Sequence, residues 1–301
     1  MSRPVITVHG LTKRYGATLA VDDLSFDVEQ GKVTGFLGPN GAGKTTTMRV
    51  LVGLAPADAG HALVLGQPYR ALGHPTRRVG TLLDGAGFHP SRTARNHLRV
   101  LAAMGRIPEG RVEEVLHDVE VAEAADRKVG GFSLGMRRRL GLASALLGGP
   151  EVLVLDEPAN GLDPAGIRWL RQLLRSFAAG GGTVFVSSHV LAEVAQTADE
   201  VVVVNRGRLV TQTTVDDLTA GRTVSVRTSD PDRLRRVLVG AGGRVQVTGP
   251  DSLAVAGLAQ ESVGEAAAGE GLVVYELTTR GETLEDVFLE LVEEGAHRAA
   301  S

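Results

Sequence analysis

The sequence predicts an α/β fold followed by a smaller α+β region. Continuous apolar runs of the length typical of buried parallel strands occur at residues 33–37, 152–155 and 183–187. Segments with apolar residues at three- and four-residue spacing, which favours helices, lie between these runs. The last third of the chain instead follows the order β-α-β-β-α-β, which favours a ferredoxin-like arrangement. We therefore expect two domains, residues 1–218 and 219–301.

Composition excludes several classes of protein. The formal net charge of −3 over 301 residues argues against a general nucleic-acid coat. Because the chain has no cysteine, it can form no disulfide, thiol nucleophile or cysteine metal site. It also lacks a signal-peptide pattern and any run near the roughly 20 apolar residues that span a bilayer. We expect a cytoplasmic protein without direct membrane insertion, so that any membrane role requires another chain.

The segment after the first buried strand matches the phosphate-binding pattern G-x-x-x-x-G-K-[ST]. Its residues are Gly38, Pro39, Asn40, Gly41, Ala42, Gly43, Lys44, Thr45 and Thr46. The glycines let backbone N–H groups surround a phosphate, Lys44 reaches its oxygens, and Thr45 offers a hydroxyl to Mg²⁺. A chance match in a glycine-rich chain is the alternative, but the chain has only four lysines and a strand and a helix flank this one. The pattern predicts nucleoside triphosphate binding.

Two carboxylates follow the apolar strand at residues 152–155. Asp156 is suited to hold Mg²⁺ at the carboxyl end of a parallel strand, and Glu157 to polarise an attacking water as general base. Taken alone, an Asp-Glu pair is more often a strand that ends at the surface. The phosphate-binding pattern earlier in the chain favours the catalytic interpretation.

Further candidates lie around these motifs. His189 follows the strand at 183–187, where open α/β sheets bind ligands. Ser133 and Gly135 open a helix and form a second anion-binding candidate, whereas the arginines at 137–139 point in different helical directions and favour a solvated surface. Tyr15, in a segment predicted as a loop over 11–16, fits either packing or stacking on a nucleobase.

In this order the motifs resemble those of the ATPase subunits of ATP-binding cassette transporters. The matching segments are residues 38–46, Asp84, 132–136, 152–157, 161–164 and His189, and the resemblance covers about 3–218. It is most similar to the branch that exports peptide antibiotics, lantibiotics and other drugs. The resemblance implies a P-loop NTPase fold, an ABC nucleotide-binding domain with an inserted helical subdomain at about 85–147.

The resemblance also implies a mechanism with ATP and Mg²⁺. Two copies would face each other head to tail, and each ATP would lie between one phosphate loop and the partner's signature. Implied roles are activation of water by Glu157, positioning of that water against the γ-phosphate by His189, and stacking of Tyr15 on adenine. Asp163 would belong to the nucleotide site, and Thr45, Asp84 and Asp156 to the metal site.

The chain would be peripheral on the inner face of the cell membrane, bound to a separate integral membrane permease and not to nucleic acid.

Two departures from the family pattern stand out. Asp84 occupies the place of the usual glutamine, and its shorter side chain has less reach toward Mg²⁺. Leu134 and Met136 replace the common glycine and glutamine of the signature, while Ser133 and Gly135 are retained. We interpret both departures as branch variation rather than loss of function.

Three function classes compete on sequence grounds. The first is the motor subunit of an exporter. The second is a soluble cassette ATPase that acts on ribosomes or DNA, but such relatives carry two cassettes or long heptad arms that this chain lacks. The third is a small-molecule kinase, which would need no signature at 133–135. The region after 218 fits either a structural cap or a regulatory, dimer-stabilising surface, and a last helix is predicted from Thr283.

Overall fold

The computed structural model describes residues 4–83, 87–190, 194–219 and 223–280. They divide into two compact units, one ending at Gln212 and the other beginning at Thr213. Asp84 and the helix predicted from Thr283 lie outside the described residues. Among the described residues, every helix is too short or too polar to span a bilayer.

The described chain alternates strands and helices. The strands are β1 Pro4–Tyr15, β2 Thr18–Glu29, β3 Val33–Leu37, β4 Ala59–Val64, β5 Val79–Leu82, β6 Val152–Leu155, β7 Thr183–Ser188, β8 Glu200–Asn205, β9 Arg208–Thr214, β10 Thr223–Thr228, β11 Arg244–Gly249, β12 Ser252–Ala256 and β13 Val274–Arg280. The helices are α1 Lys44–Leu51, α2 Pro75–Arg78, α3 Ala94–Gly105, α4 Gly110–Asp118, α5 Leu134–Leu146, α6 Pro164–Ala179, α7 Val215–Thr219, α8 Pro231–Gly240 and α9 Gln260–Gly269.

The first unit is built around a six-stranded sheet in the order β5-β6-β7-β3-β8-β9. Strands β5, β6, β7, β3 and β8 pair in parallel. Strands β3, β6 and β7 are buried at every position, which explains their continuous apolar sequences. Because parallel strands end at the same edge, the loop after Leu37, the carboxylates after Leu155 and the segment after Ser188 converge there. The predicted α/β class is confirmed.

A second sheet of the first unit, in the order β2-β1-β4, packs on the six-stranded sheet through aromatic rings. The ring centroids of Phe26, Phe36 and Phe185 lie 5.0 to 5.5 Å apart. Each such pair contributes about 0.5–1.5 kcal/mol beyond the burial of its area. This cluster fixes β3, which ends in the phosphate-binding pattern, against its support.

One sequence expectation for this unit is wrong, and one strand was not predicted. Residues 11–16 are not a loop, because β1 continues to Tyr15 with the side chains of Leu11 and Lys13 buried. The buried Lys13 ammonium is paired with Asp58 at 3.1 Å, a partner that the local sequence does not reveal. Strand β4 has no counterpart among the predicted elements; it is largely exposed and is ordered by pairing with β1.

The second unit is a four-stranded antiparallel sheet in the order β11-β12-β10-β13. Helices α8 and α9 cover one face and bury Val226, Leu234, Leu253 and Val263 among other apolar residues. Its predicted α+β class is confirmed, and the strand order is that of a ferredoxin-like sheet. The role of this unit stays a prediction.

Candidate nucleotide-binding site

The phosphate-binding pattern forms a tight loop that ends at the start of α1. Gly43, just before the helix, has φ of 102°, and a Cβ added there would lie 2.5 Å from the Ala20 carbonyl oxygen. Both the backbone conformation and the close approach therefore require glycine. Helix α1 carries no acidic residue in its first turn, so its N-terminal N–H groups keep a positive potential. The loop is suited to bind an anion.

Lys44 lies inside this loop with only 6% of its surface exposed. Its Nζ donates to the carbonyl oxygens of Gly38 at 2.6 Å and Pro39 at 3.3 Å, and lies 3.5 Å from Oε1 of Glu157. A buried ammonium requires such partners. The three N–H groups of the Lys44 ammonium are also the donors from which a bound phosphate would accept hydrogen bonds.

Thr45 and the end of β6 meet across the site. The Thr45 hydroxyl donates to Oδ2 of Asp156 at 2.7 Å, and Asp156 is 1% exposed. Hydroxyl and carboxylate oxygens are the ligands that Mg²⁺ takes in phosphate-binding loops. The donor set at this point therefore fits Mg²⁺.

Ser187, on the neighbouring β7, bonds the carboxylate of Asp156 and the backbone of Glu157. Its Oγ donates to Oδ1 of Asp156 at 2.5 Å and accepts from the Glu157 N–H at 2.9 Å. The side chain is fully buried. Sequence reasoning placed Ser187 only within a strand, because no local signal links it to carboxylates that lie about 30 positions earlier and meet it through the pairing of β6 with β7.

Glu157 and His189 form a pair at the same edge. Nδ1 of His189 lies 2.8 Å from Oε2 of Glu157, so both oxygens of this carboxylate have a polar neighbour. The Glu157 backbone has φ of 48°, a left-handed conformation that is unfavourable for glutamate and is typical of functional sites. The structure thus brings Lys44, Asp156, Glu157 and His189 together.

Ser133, Gly135 and Asp163 lie on two other helix starts. Ser133 is the N-cap of α5, and its Oγ accepts from the Met136 N–H at 3.2 Å. Asp163 is the N-cap of α6, and its Oδ1 accepts from the Gly166 N–H at 2.7 Å. Among the described residues, no hydrogen bond joins residues 133–136 to the loop at 38–46 within one chain.

Tyr15 lies at the end of β1 with 47% of its surface exposed. Lys13 Nζ is 5.4 Å from its ring centroid. The hydrogen bond from the Arg14 N–H, followed by that from Lys13, holds the pKa of Asp58 below its usual value, so the carboxylate that anchors Lys13 stays ionised. The Tyr15 ring therefore has Lys13 near it and remains accessible to a ligand.

The fold and this site define a protein of the phosphate-loop nucleotide-binding class. A family model described as ABC transporter matches residues 21–160, and a model described as a domain of unknown function matches 222–285. The bacitracin transport ATP-binding protein of Bacillus licheniformis is 42% identical over 217 residues, which are 71% of each chain. A bacitracin transport ATP-binding protein of Enterococcus faecalis is 34% identical over 96% of each chain.

Among solved structures, the ATP-binding subunit of an ABC transporter superposes with a TM-score of 0.65 at 27% identity. The match covers 71% of this chain and 91% of the other. The chain belongs to the family of ABC transporter ATP-binding proteins, and it is accordingly an ATP-binding, ATP-hydrolysing subunit. These relatives favour the transport class over action on ribosomes or DNA.

Proposed function

We propose that this subunit hydrolyses ATP to power the export of a peptide antibiotic or similar drug through separate membrane subunits. The observation that carries the hydrolytic part is the pairing of Glu157 with both Lys44 and His189 at the phosphate loop. Similarity to bacitracin transport proteins supports the export part and the class of cargo.

Binding of ATP begins at the loop. The triphosphate takes the place of the Gly38 and Pro39 carbonyls and of Glu157 as the partner of Lys44. The backbone N–H groups at the start of α1 add further donors. Tyr15 stacks on adenine from its exposed side. ATP therefore replaces contacts that the loop already makes within the chain.

Thr45 and Asp156 would hold the metal, and the role expected for Asp84 stays a proposal. When bound, Mg²⁺ neutralises charge on the phosphate oxygens. Ser187 holds Asp156 in place and leaves its second oxygen facing Thr45. The chain supplies a buried, prearranged pair of oxygen ligands at this point.

Once Lys44 turns to phosphate, Glu157 is free to accept a proton from water. His189 keeps the carboxylate oriented through Nδ1 and is proposed to position the attacking water against the γ-phosphate. The strained backbone of Glu157 is fixed by its N–H bond to Ser187. General-base catalysis of this kind is worth about 10²–10⁴-fold in rate.

The site is completed by a second copy of the chain. Ser133, Gly135 and the N-terminus of α5, which Ser133 caps, form an anion-binding surface that is separate from the chain's own phosphate loop. In a head-to-tail dimer this surface meets the partner's ATP, and Asp163 lies in the adjoining loop. Hydrolysis breaks the bond to the γ-phosphate, and departure of the phosphate product removes the group that both copies contact, so the copies can separate.

A groove in the first unit is the proposed contact with the permease. It has a volume of about 550 Å³ and, in its described lining, no Asp, Glu, Lys or Arg side chain. Leu54 and Met104 at the groove are 68% and 78% exposed. Burial and the nearby Arg92 lower the pKa of His97, so this lining residue stays neutral. An apolar segment of the permease fits such a surface, and the chain is then peripheral on the membrane's inner face.

The test purifies the tagged chain from membranes in mild detergent. We expect a multi-span membrane protein to copurify and bacitracin to change the ATPase rate of the complex. Leu54→Glu with Met104→Glu should lose the membrane protein and keep ATP binding, whereas Val239→Glu, an exposed apolar residue of the second unit, should keep both. Recovery with ribosomes or nucleic acid, unaffected by the groove variants, would overturn the proposal.

A further inference from the structure

The first turn of α5 rests on the loop between β6 and α6. Gly161 in this loop has φ of 84°, and a Cβ added there would lie 2.2 Å from Cδ2 of Leu134. The leucine side chain therefore fills the space that a side chain at 161 would need. Leu134 and Gly161 are matched in shape, so the leucine that departs from the family signature has a specific partner in the same chain.

A second contact lies one helical turn further along α5. Nε of Arg138 donates to the carbonyl oxygen of Asn160 at 3.2 Å. Residues 134 and 138 are four apart and hence share one face of the helix. The Arg139 guanidinium lies 4.1 Å from the ring centroid of Trp169 on α6, which holds the two helices together.

The loop that receives these contacts begins at the proposed general base. The Asn160 N–H donates to the Glu157 carbonyl at 3.2 Å, and the Leu162 N–H donates to the Ala159 carbonyl at 3.0 Å. Asp163 then caps α6. The loop is a compact series of turns, so a shift of α5 against Asn160 and Gly161 is passed to both of its ends.

We propose that Leu134 and Arg138 are positioning residues that fix the signature, Ser133 and Gly135, relative to the loop from Glu157 to Asp163. A solvated leucine is the simpler explanation, because single exposed apolar residues are common and Leu134 is 60% exposed. That explanation does not account for the fit to Gly161 or for the bond from Arg138 on the same face. The proposal rests on the dimer described under the proposed function.

The first experiment uses the nucleotide-free chain, in which dimer formation plays no part. Leu134→Ala keeps a good helix former at the start of α5 and removes the contact with Gly161. We expect amide hydrogen exchange at residues 160–163 to accelerate about tenfold in Leu134→Ala and in Arg138→Gln. For Arg138→Gln, this is the effect expected from the loss of one charge-assisted hydrogen bond. Unchanged exchange in both variants would overturn the proposal.

Gly161→Ala gives a second, independent readout. In the wild-type background it meets both the φ strain and the clash with Leu134, whereas in Leu134→Ala only the φ strain remains, since Cβ of Leu134 is 3.5 Å away. Gly161→Ala should therefore lower stability less in the Leu134→Ala background. Equal losses in the two backgrounds would show that Leu134 does not rest on Gly161.

The functional readout is ATP-driven dimerisation in the Glu157→Gln background. Arg138→Gln should raise the ATP concentration for half-maximal dimerisation about tenfold without changing nucleotide affinity of the monomer, and Arg138→Lys should restore most of the loss. Arg137→Gln is the matched control, because the neighbouring Arg137 bonds Gly130 instead of the loop. No shift despite faster exchange would refute the positioning role. Absence of any dimer in the Glu157→Gln parent would instead refute the proposed function.

Discussion

The two units of the chain differ in where they place their polar groups. At the carboxyl edge of the parallel sheet, Lys44, Asp156 and Ser187 are almost fully buried and bonded to one another or to the loop. In the described part of the second unit the only buried polar side chain is Thr228. Its ion pairs, such as Arg227 with Asp251, lie at the surface with 48% and 39% of their side chains exposed.

Buried, bonded polar groups indicate a chemical role, whereas exposed ion pairs are typical of a structural surface. Removing a charge from water costs several kcal/mol per ion. A buried lysine between carbonyls and a carboxylate therefore adds little to the stability of the fold, and its burial is better explained by a role in binding a ligand. Exposed pairs contribute about 0–1 kcal/mol and are easily replaced. We therefore expect substitutions in the first region to lower ATP turnover and those in the second region to change turnover little.

The largest effect is expected for Glu157→Gln. The amide cannot accept a proton from water, so hydrolysis should fall about 10³-fold. Because the amide also releases Lys44 from a competing carboxylate, ATP should bind at least as tightly. Single-turnover hydrolysis and size-exclusion chromatography with ATP measure the two effects. Wild-type turnover would remove Glu157 from its proposed role.

Ser187→Ala tests whether the buried network positions the carboxylates. It leaves the Glu157 N–H and one Asp156 oxygen unpaired, which costs about 1–3 kcal/mol, and we expect turnover to fall about 10–100-fold. Ser188→Ala is the control on the same strand, because its Oγ bonds only Val190 among the described residues. Equal losses in the two variants would indicate a general effect on β7.

Tyr15→Ala should have a moderate effect. Loss of a stacked ring weakens base binding by about 1–3 kcal/mol, so ATP affinity should fall about tenfold with kcat nearly unchanged. Tyr15→Phe, which keeps the ring, should bind like wild type. A loss of affinity in Tyr15→Phe would assign the contact to the hydroxyl instead of the ring face.

The smallest effect is expected for Arg227→Ala in the second unit. Its pairing with Asp251 is exposed, so the free energy of unfolding should change little. ATP turnover of the isolated subunit should stay within about twofold. A large drop in turnover would show that this unit takes part in the nucleotide cycle and would favour its regulatory interpretation over the structural cap.

The sequence predicts those parts of the fold and the site where a local residue pattern coincides with residues that the chemistry requires. Strand β6 followed by Asp156, and β3 followed by the glycine loop, are recognisable because buried parallel strands are continuously apolar and the loop chemistry needs particular residues. The extension of β1 through Lys13 was not predictable, because its burial depends on Asp58, 45 positions away. Ser187 and the Leu134–Gly161 contact also arise only when separate strands and helices meet.

The proposed dimer, in which each phosphate loop is completed by the other chain's signature, is the arrangement on which the mechanism depends. It is tested by mixing Lys44→Ala with Gly135→Asp, two variants expected to be inactive alone. Asp is tolerated in the first turn of a helix, so the second variant should fold while repelling phosphate. Random pairing makes half of the dimers mixed, each with one intact site, and the mixture should recover about a quarter of wild-type ATPase activity. Activity no greater than the sum of the two separate variants would contradict the account.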